Sequence, residues 1–532
     1  MRSAAIHGML GALVLTAATV VPAGASTDVL PLPLPLTDAR ELAGTASAAR
    51  KAAAAGIDWK KCPAVERLSV RGVECGKVTV PVDYAEPDGE KIELTVSRRQ
   101  ASGPAAARQG VLLHNPGGPG VNGMTFPLYA SPVVGGVWKK LNRAYDFVGY
   151  APRGVGRSAP LKCRDPKANR GPDRSPREPS AAFKRKMRQK AAAFARGCAR
   201  NQGDRLDHYT TPDNARDLDV LRAALGSRKL NFFGASYGSY LGSVYATLFP
   251  GRVRRLVLDS VVDPRPGKIW YQSNLDQNPA FERRWSDWKT WVAKHNSVYG
   301  LGRSARAVQH HFDKVRDTLD RRHVGGSAGR EVGSRQLLAG YLDVGYSDET
   351  WAEHAAALAE FRKGDPLPLV GLAAPDRHGA AEKANSDAVY NAVQCSDAPW
   401  PRDWSRWDRD NTELARRAPF QTWENVWTNL PCAYWHGRQS RPVDVRTRPG
   451  ELPPVLLLAA TRDPATPYAG ALATWKLLSG SSLVTERGAG THGVTGGNKC
   501  ADRHLAAYLL DGKTPGRAAE CSARPAPAPD RS

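Results

Sequence analysis

A Gly-x-Ser-x-Gly pentapeptide after a run of strand-forming residues constrains this chain more than any other feature. Gly234, Ser236 and Gly238 lie between residues 231–233 and a helix-compatible stretch. In a strand, tight turn and helix of this kind, the turn exposes the serine hydroxyl, so that a histidine can activate it as a nucleophile. The two glycines remove Cβ atoms that would obstruct the turn. The sequence therefore predicts a nucleophile elbow with Ser236 at its tip.

Short apolar runs that alternate with helical stretches indicate the surrounding fold. The pattern begins with a strand, a turn and a strand, at residues 78–82, 87–89 and 92–96. Further apolar runs follow at residues 111–113, 145–150, 230–233, 256–258 and 454–458. Because helical stretches separate these later runs, they predict an α/β fold, with a mostly parallel sheet flanked by helices.

The strand pattern disappears between residues 265 and 450, where tryptophan and charged residues are frequent. We interpret residues 265–450 as a mainly helical cap insertion, because the return of a core-like strand afterwards argues against an independent domain. The predicted core then consists of residues 57–264, which carry the elbow, and residues 451–522.

The two ends of the chain have the composition of segments outside the core. Residues 1–25 combine Arg2, an apolar stretch and Ala23-Gly24-Ala25, as in a cleaved signal peptide. The apolar stretch is shorter than the roughly 20 residues of a membrane-spanning helix. We therefore expect a secreted, extracellular protein with no transmembrane segment in its mature form. Residues 26–56 are interpreted as a linker or pro-segment, and residues 523–532 as a disordered tail.

Eight cysteines form an even set, and export would place them where disulfides persist. Pairing of sequential neighbours is one of about 105 connectivities, favoured here because each pair falls within one predicted region. The expected pairs are Cys62–Cys75, Cys163–Cys198, Cys395–Cys432 and Cys500–Cys521. Neither Cys-x-x-Cys nor a zinc-like His/Cys spacing occurs, so we expect no metal and no cofactor.

The chain is strongly basic, with 75 Lys and Arg against 52 Asp and Glu and a formal net charge of +23. These cations are spread along the sequence rather than gathered in a patch interleaved with aromatic residues, which argues against nucleic-acid binding. A solvated surface with loose association to an anionic cell wall is the interpretation that we prefer.

The other groups of a serine hydrolase follow the elbow in the required order. After such an elbow, an acid and then a histidine are expected, each beyond a late strand. Asp463 follows the run at 454–458, and His492 follows the apolar residues at 483–485. We therefore predict a triad of Ser236, Asp463 and His492.

An oxyanion hole requires two backbone N–H groups that point at the developing negative charge. Tyr237, directly after the nucleophile, is expected to supply one. The glycine-rich loop at residues 114–120 follows a strand, and we assign the second donor to Gly118 in this loop.

Several of these segments together resemble the secreted tripeptidyl aminopeptidases of streptomycetes. The resemblance rests on residues 114–120, 152–158, 461–468 and 490–493, together with the elbow, and extends over about residues 59–521. It implies an α/β-hydrolase fold related to the prolyl aminopeptidases, with Ser236 as nucleophile, His492 as general base and acid, and Asp463 as its orienting group. It also implies release of tripeptides from the free N-termini of peptides and proteins.

The substrate ammonium and two alternative functions remain open at this stage. An exopeptidase needs a carboxylate partner for the free ammonium of its substrate, and Glu353 and Asp397 in the cap are the candidates. A secreted carboxylesterase or lipase would use the same triad, because the fold does not select amides over esters. A non-catalytic cell-wall-binding protein on a hydrolase fold is the third interpretation.

Overall fold

A computed structural model describes residues 36–530, except residues 67, 69–70, 132–133, 135, 165–173, 326–330 and 376–378. The predicted signal peptide at 1–25 lies outside the described residues. The strands are β1 (Lys60–Lys61), β2 (Val73–Pro81), β3 (Lys91–Arg99), β4 (Val111–Asn115), β5 (Asp146–Tyr150), β6 (Leu230–Ala235), β7 (Val253–Asp259), β8 (Val455–Ala460), β9 (Ser481–Arg487) and β10 (Ala518–Ser522). In the described part of the chain they form one sheet, in the order β1-β2-β3-β5-β4-β6-β7-β8-β9-β10.

The sheet is parallel from β5 to β10 and antiparallel at the opposite edge. β1 pairs with β2, β2 with β3 and β3 with β5, and these three pairs are antiparallel. All neighbouring strands from β5 and β4 to β9 and β10 pair in parallel. The central strands are buried along almost their whole length, as expected for parallel strands with helices on both faces. The prediction of an α/β fold with a mostly parallel sheet is confirmed.

The helices alternate with these strands and then replace them in the long insertion. Within the described residues the α-helices are α1 (Leu36–Ala55), α2 (Gly136–Leu141), α3 (Ala181–Gln202), α4 (Thr211–Ala224), α5 (Tyr237–Leu248), α6 (Tyr271–Lys294), α7 (Asn296–Tyr299), α8 (Ala305–Arg321), α9 (Ser334–Tyr341), α10 (Asp343–Tyr346), α11 (Trp351–Lys363), α12 (Leu367–Ala373), α13 (Ala380–Asp397), α14 (Trp404–Arg417), α15 (Thr422–Asn429), α16 (Ala469–Leu477) and α17 (Lys499–Asp511). None of these helices combines the length and the apolar character needed to cross a membrane.

The stretch between β7 and β8 contains α6 to α15 and has a hydrophobic core of its own. Trp285 stacks on Phe420 with ring centroids 4.3 Å apart and on Trp288 at 4.7 Å. The high tryptophan content of the insertion is thus explained by packing, because these rings fill the space between its helices.

The N-terminal segment differs from the linker predicted at residues 26–56. Residues 36–55 form helix α1, which packs on α4 and buries Ala48, Ala49 and Ala52. Glu41 of this helix forms a salt bridge with the buried Arg216 of α4. The linker interpretation is wrong for this part of the segment, because its alanines let two helices approach closely. The pro-segment alternative stays a prediction.

The C-terminal residues are also more ordered than their Ala-Pro composition predicted. Arg524 forms a salt bridge with the buried Glu486 at 3.0 Å. The indole N–H of Trp291 donates to Pro527 O at 3.2 Å, and Asp530 N donates to the hydroxyl of Tyr299 at 3.0 Å. Residues 523–530 therefore form a strap from the core to the insertion, and the prediction of a disordered tail is wrong for them.

All four predicted disulfides are present. The structure pairs Cys62 with Cys75, Cys163 with Cys198, Cys395 with Cys432 and Cys500 with Cys521. Each pair closes a loop of 13 to 37 residues, so every cross-link lies within one part of the fold. The connectivity predicted from sequential neighbours is confirmed.

The packing of α1 leads to a prediction for truncated chains. A chain that begins at residue 57 lacks α1, which exposes the face of α4 and leaves Arg216 without Glu41. Its thermal unfolding midpoint, measured by circular dichroism, should lie below that of a chain beginning at residue 36 by about 3 °C or more. Equal midpoints would contradict a structural role for α1.

Candidate active site

The nucleophile elbow lies between β6 and α5, where the sequence predicts it. Ser236 has φ +57° and ψ −124°, a strained conformation for a residue with a side chain. A Cβ on Gly234 would lie 2.2 Å from Gly238 O, and a Cβ on Gly238 would lie 2.3 Å from Asn115 O. The two glycines of the motif are therefore required by close backbone contacts, which hold Ser236 at the tip of the turn.

Asp463 and His492 form a hydrogen-bonded pair on two loops that follow β8 and β9. His492 Nδ1 lies 2.9 Å from Asp463 Oδ2 and 3.0 Å from Oδ1. The carboxylate is 1% exposed, and it accepts hydrogen bonds from the backbone N–H groups of Ala465 and Thr466 and from Thr466 Oγ1. These donors fix the aspartate, and the aspartate in turn orients the imidazole ring.

The surroundings of His492 tune its basicity. Burial lowers the pKa of the imidazole, but the charge and hydrogen bond of Asp463 and the charge of Asp259 outweigh burial and raise it above the ordinary value. A raised pKa makes His492 a stronger proton acceptor, which suits a general base for a hydroxyl group.

The contact between serine and histidine is not formed in this structure. In the part of the chain that the structure describes, Ser236 Oγ makes no hydrogen bond with His492 or with any other group. The loops that carry the two residues nevertheless share an anchor. Ser236 N donates to Asp259 O at 3.0 Å, and the carboxylate of Asp259 binds the backbone just after His492. Contacts of this kind often tighten only when substrate binds.

The glycine-rich loop after β4 touches the elbow directly. A Cβ on Gly117 would lie 2.8 Å from Ser236 Cβ and 3.1 Å from Tyr237 N, so only glycine allows this approach. Gly117 N donates to Asn115 Oδ1 at 3.0 Å. Among the described residues, no acceptor is bound to the backbone N–H groups of Tyr237 and Gly118. Both predicted oxyanion donors are thus in the elbow or in the loop that packs against it.

Two helices of the insertion contact these loops. His492 N donates to Tyr346 O, at the end of α10, at 2.7 Å, and the two rings meet edge to face at 5.5 Å. A Cβ on Gly120 would lie 2.7 Å from Ser386 O of α13. No sequence pattern predicts a role for Tyr346, because its contact with His492 joins distant parts of the chain.

The structure distinguishes the two carboxylates suggested for the substrate ammonium. Asp397 is 3% exposed and accepts hydrogen bonds from Thr211 N, Thr211 Oγ1 and Trp270 Nε1 at 2.6 to 3.1 Å. Burial raises its pKa to about 6, although these hydrogen bonds oppose the shift. Because Asp397 already caps the first turn of α4, the structure does not favour it as an ammonium site.

Glu353 has a more accessible position, in the first turn of α11. Burial raises the pKa of Asp343 in α10. The charge of His354 lowers this pKa, and the charge of Glu353 raises it. Asp343 in turn acts on Tyr346, the neighbour of His492. Glu353 and Asp343 therefore lie on the insertion near Tyr346, which contacts the imidazole of His492.

One group of potential metal ligands occurs among the described residues. Donor atoms of Cys500, His504 and Cys521 lie within 4.8 Å of one another. The two sulfur atoms form a disulfide, so they have no thiolate to offer a metal ion.

Comparisons with known proteins identify families and relatives that resemble this chain. A family model described as an alpha/beta hydrolase fold matches residues 110–323, and one described as a TAP-like protein matches residues 418–521. The chain is 48% identical to a tripeptidyl aminopeptidase of Streptomyces lividans over 495 residues, which cover 92% of this chain and 91% of that protein. It is 31% identical over 504 residues to the serine protease Hip1 of Mycobacterium tuberculosis, covering 91% of this chain and 94% of Hip1. It is 30% identical over 483 residues to carboxylesterase B of the same organism, covering 87% and 89%.

The Asp463–His492 pair leads to a pH prediction. Only neutral imidazole accepts the serine proton, so kcat/KM should fall as the pH drops through a pKa above the ordinary value of about 6.5. In Asp463→Asn the charge that raises this pKa is lost, so the acid limb should move to lower pH. The plateau should also fall roughly 10³- to 10⁴-fold, because the imidazole is no longer oriented. The measurement is the pH profile of chromogenic ester hydrolysis, and an unshifted limb would contradict the assignment.

Proposed function

Because the chain belongs to the tripeptidyl aminopeptidase family of α/β-hydrolases, we propose that it is a serine exopeptidase that releases tripeptides from free N-termini of peptides and proteins. The observation that carries this proposal is the Asp463–His492 pair, anchored beside an elbow with the half-buried Ser236 at its tip. A Streptomyces relative of nearly the same length is named for this activity.

The proposed reaction proceeds through an acyl-enzyme. Ser236 Oγ attacks the carbonyl carbon of the third residue, and His492 accepts the hydroxyl proton while Asp463 stabilises the imidazolium. The N–H groups of Tyr237 and Gly118 stabilise the negative oxygen of the tetrahedral intermediate. His492 then protonates the leaving amine, and the shortened peptide departs. Water, deprotonated by His492, releases the tripeptide and restores Ser236.

The helical insertion is proposed to act as a cap that limits how much substrate extends beyond the acyl site. Its helices α10 and α13 contact the loops of His492 and Gly120, which supports this role. A substrate with a free ammonium needs an anionic partner under such a cap. We assign this partner to Glu353 together with Asp343, which form no salt bridge within the described residues.

Two other functions would use the same fold. The 30% identity to a protein named carboxylesterase B supports an esterase as the second candidate, with the same triad and a different acyl pocket. A non-catalytic binding protein is disfavoured, because binding to a polymer requires neither a strained serine nor an oriented histidine.

Four disulfides support a location outside the cytoplasm, and the protein is proposed to be secreted. The net charge of +23 supports loose, salt-sensitive association with an anionic cell wall after export.

Substrate specificity tests the exopeptidase proposal. A tripeptide with a free amino terminus and a chromogenic leaving group should be cleaved roughly 10- to 100-fold faster than its N-acetylated twin, because the ammonium loses its charged partner on acetylation. Single-residue and ester substrates complete the series, with Ser236→Ala as the blank. Preference for the ester or for the blocked peptide would keep the serine chemistry and exclude the aminopeptidase assignment.

Glu353→Gln tests the ammonium site. The variant should raise KM for the free tripeptide roughly tenfold, because a charge-assisted contact is lost, and should leave the N-acetylated twin unaffected. Glu349→Gln is the matched control, since it removes an exposed carboxylate from the turn before α11. Equal effects of Glu353→Gln on both substrates would exclude Glu353 as the partner of the ammonium.

A further inference from the structure

A buried carboxylate that belongs to neither the elbow nor the Asp463–His492 pair lies at the end of β7. Asp259 has no exposed surface. Its carboxylate accepts hydrogen bonds from Val494 N at 3.0 Å, Thr495 N at 2.9 Å and Thr495 Oγ1 at 2.8 Å. These donors belong to the two residues that follow His492 and Gly493 in the chain. Asp259 therefore binds the turn on which the imidazole is carried.

Three further backbone groups of this turn are also bound. Gly493 N donates to Ser260 Oγ at 2.8 Å, next to Asp259 in the chain. From the opposite side, Arg524 donates to Gly493 O at 3.2 Å and to Val494 O at 3.5 Å. The turn is thus held between the end of β7 and the C-terminal strap. This arrangement limits the positions that His492 can adopt.

Asp259 also contacts the nucleophile side of the site. Its backbone oxygen accepts a hydrogen bond from Ser236 N at 3.0 Å. One residue therefore anchors the elbow through its main chain and the histidine turn through its side chain. A shift of the Asp259 side chain would move the histidine turn relative to Ser236.

The hydrogen bonds also indicate the charge of Asp259. The backbone groups that contact its oxygens are donors, and the hydroxyl groups of Thr495 and Ser260 can donate as well. A neutral carboxyl group would need an acceptor for its own proton, whereas a carboxylate satisfies all of these donors. Although burial raises its pKa, these contacts favour the ionised form.

The charged and titratable groups around the pair come from several elements. Asp463 from the loop after β8 and Tyr346 from the insertion face His492 together with Asp259. Arg284 of α6 interacts with Asp463, whose negative charge acts to raise the pKa of the guanidinium. The charge of Asp259 likewise acts to raise the pKa of Tyr129 and of Asp502. The structure thus brings two carboxylates, Asp463 and Asp259, to bear on one imidazole.

We propose that Asp259 is a positioning residue for His492, which holds the turn after the histidine and supplies a second negative charge that stabilises its protonated form. This inference rests on the proposed role of His492 as the base. Asp463 would orient the ring through Nδ1, and Asp259 would fix the backbone that carries the ring. The side chain of Asp259 needs no contact with the substrate.

The test is the pH dependence of Ser236 labelling by a fluorophosphonate probe in Asp259→Asn. This reaction needs the serine and its base but no peptide specificity. The acid limb of the labelling rate should move to lower pH by at least about 0.3 units, because a charge that favours imidazolium is lost. The plateau rate should fall roughly 10- to 100-fold, since the turn is held less firmly. Asp219→Asn is the matched control, because Asp219 is an equally buried carboxylate that pairs with Arg222 in α4.

The outcomes separate this inference from the proposed function. A wild-type enzyme that is not labelled at Ser236 would overturn the serine chemistry itself. A labelled wild-type enzyme whose acid limb is unchanged in Asp259→Asn would overturn only the role of Asp259. The same limb shift in Asp219→Asn would also overturn it, because the effect would then be general to buried carboxylates.

A second variant, Thr495→Val, tests the positioning role if Asp259→Asn does not fold. Thr495→Val removes the hydroxyl donor to Asp259 and keeps the carboxylate charge. The proposal predicts a plateau several-fold below that of the wild type with the acid limb close to its original position. A Thr495→Val plateau equal to the wild-type value would overturn the positioning role.

Discussion

Parallel pairing of β6, β7 and β8 is the constraint on which the candidate active site depends. Ala235 lies opposite Asp259, and Asp259 lies opposite Leu458, so the three strands end at nearly the same level. Parallel strands place their carboxyl ends at one edge of the sheet, and the loops that follow must meet there. The elbow, the Asp259–Ser260 anchor and the Asp463 loop are consequences of this register.

The insertion contacts the loops that carry Asp463 and His492. Tyr346 O accepts the backbone N–H of His492, and Arg284 forms salt bridges with Asp287 and Asp348 on the same side. Arg462, directly before Asp463, pairs with Asp287 as well. The loops of Asp463 and His492 are thus held by helices of the insertion as well as by the sheet. With the proposed cap role, these contacts would link substrate selection to the position of His492.

Local patterns in the sequence were sufficient for the sheet, the disulfides and the placement of Ser236, because strand runs and a glycine-framed turn are short-range signals. They were insufficient where burial depends on a distant partner. The alanines of α1 have the composition of a linker, and only their packing on α4 shows that they belong to the core. Pro527 lies in a low-complexity segment, and only the hydrogen bond from Trp291 to its carbonyl shows that it is ordered. Asp259 belongs to no motif that could be recognised in the sequence, because the groups that donate hydrogen bonds to its carboxylate lie more than 230 residues away.

The insertion also has a consequence for how the chain reaches its native state. β7 and β8 are neighbours in the sheet, yet all the helices from α6 to α15 lie between them in the sequence. Closing so long a loop costs entropy before any strand contact compensates for it, so the parallel core is completed late. During synthesis, the half of the sheet with Ser236 emerges before the half with Asp463 and His492. The newly synthesised chain therefore does not bring the three residues of the proposed triad together until its last strands dock.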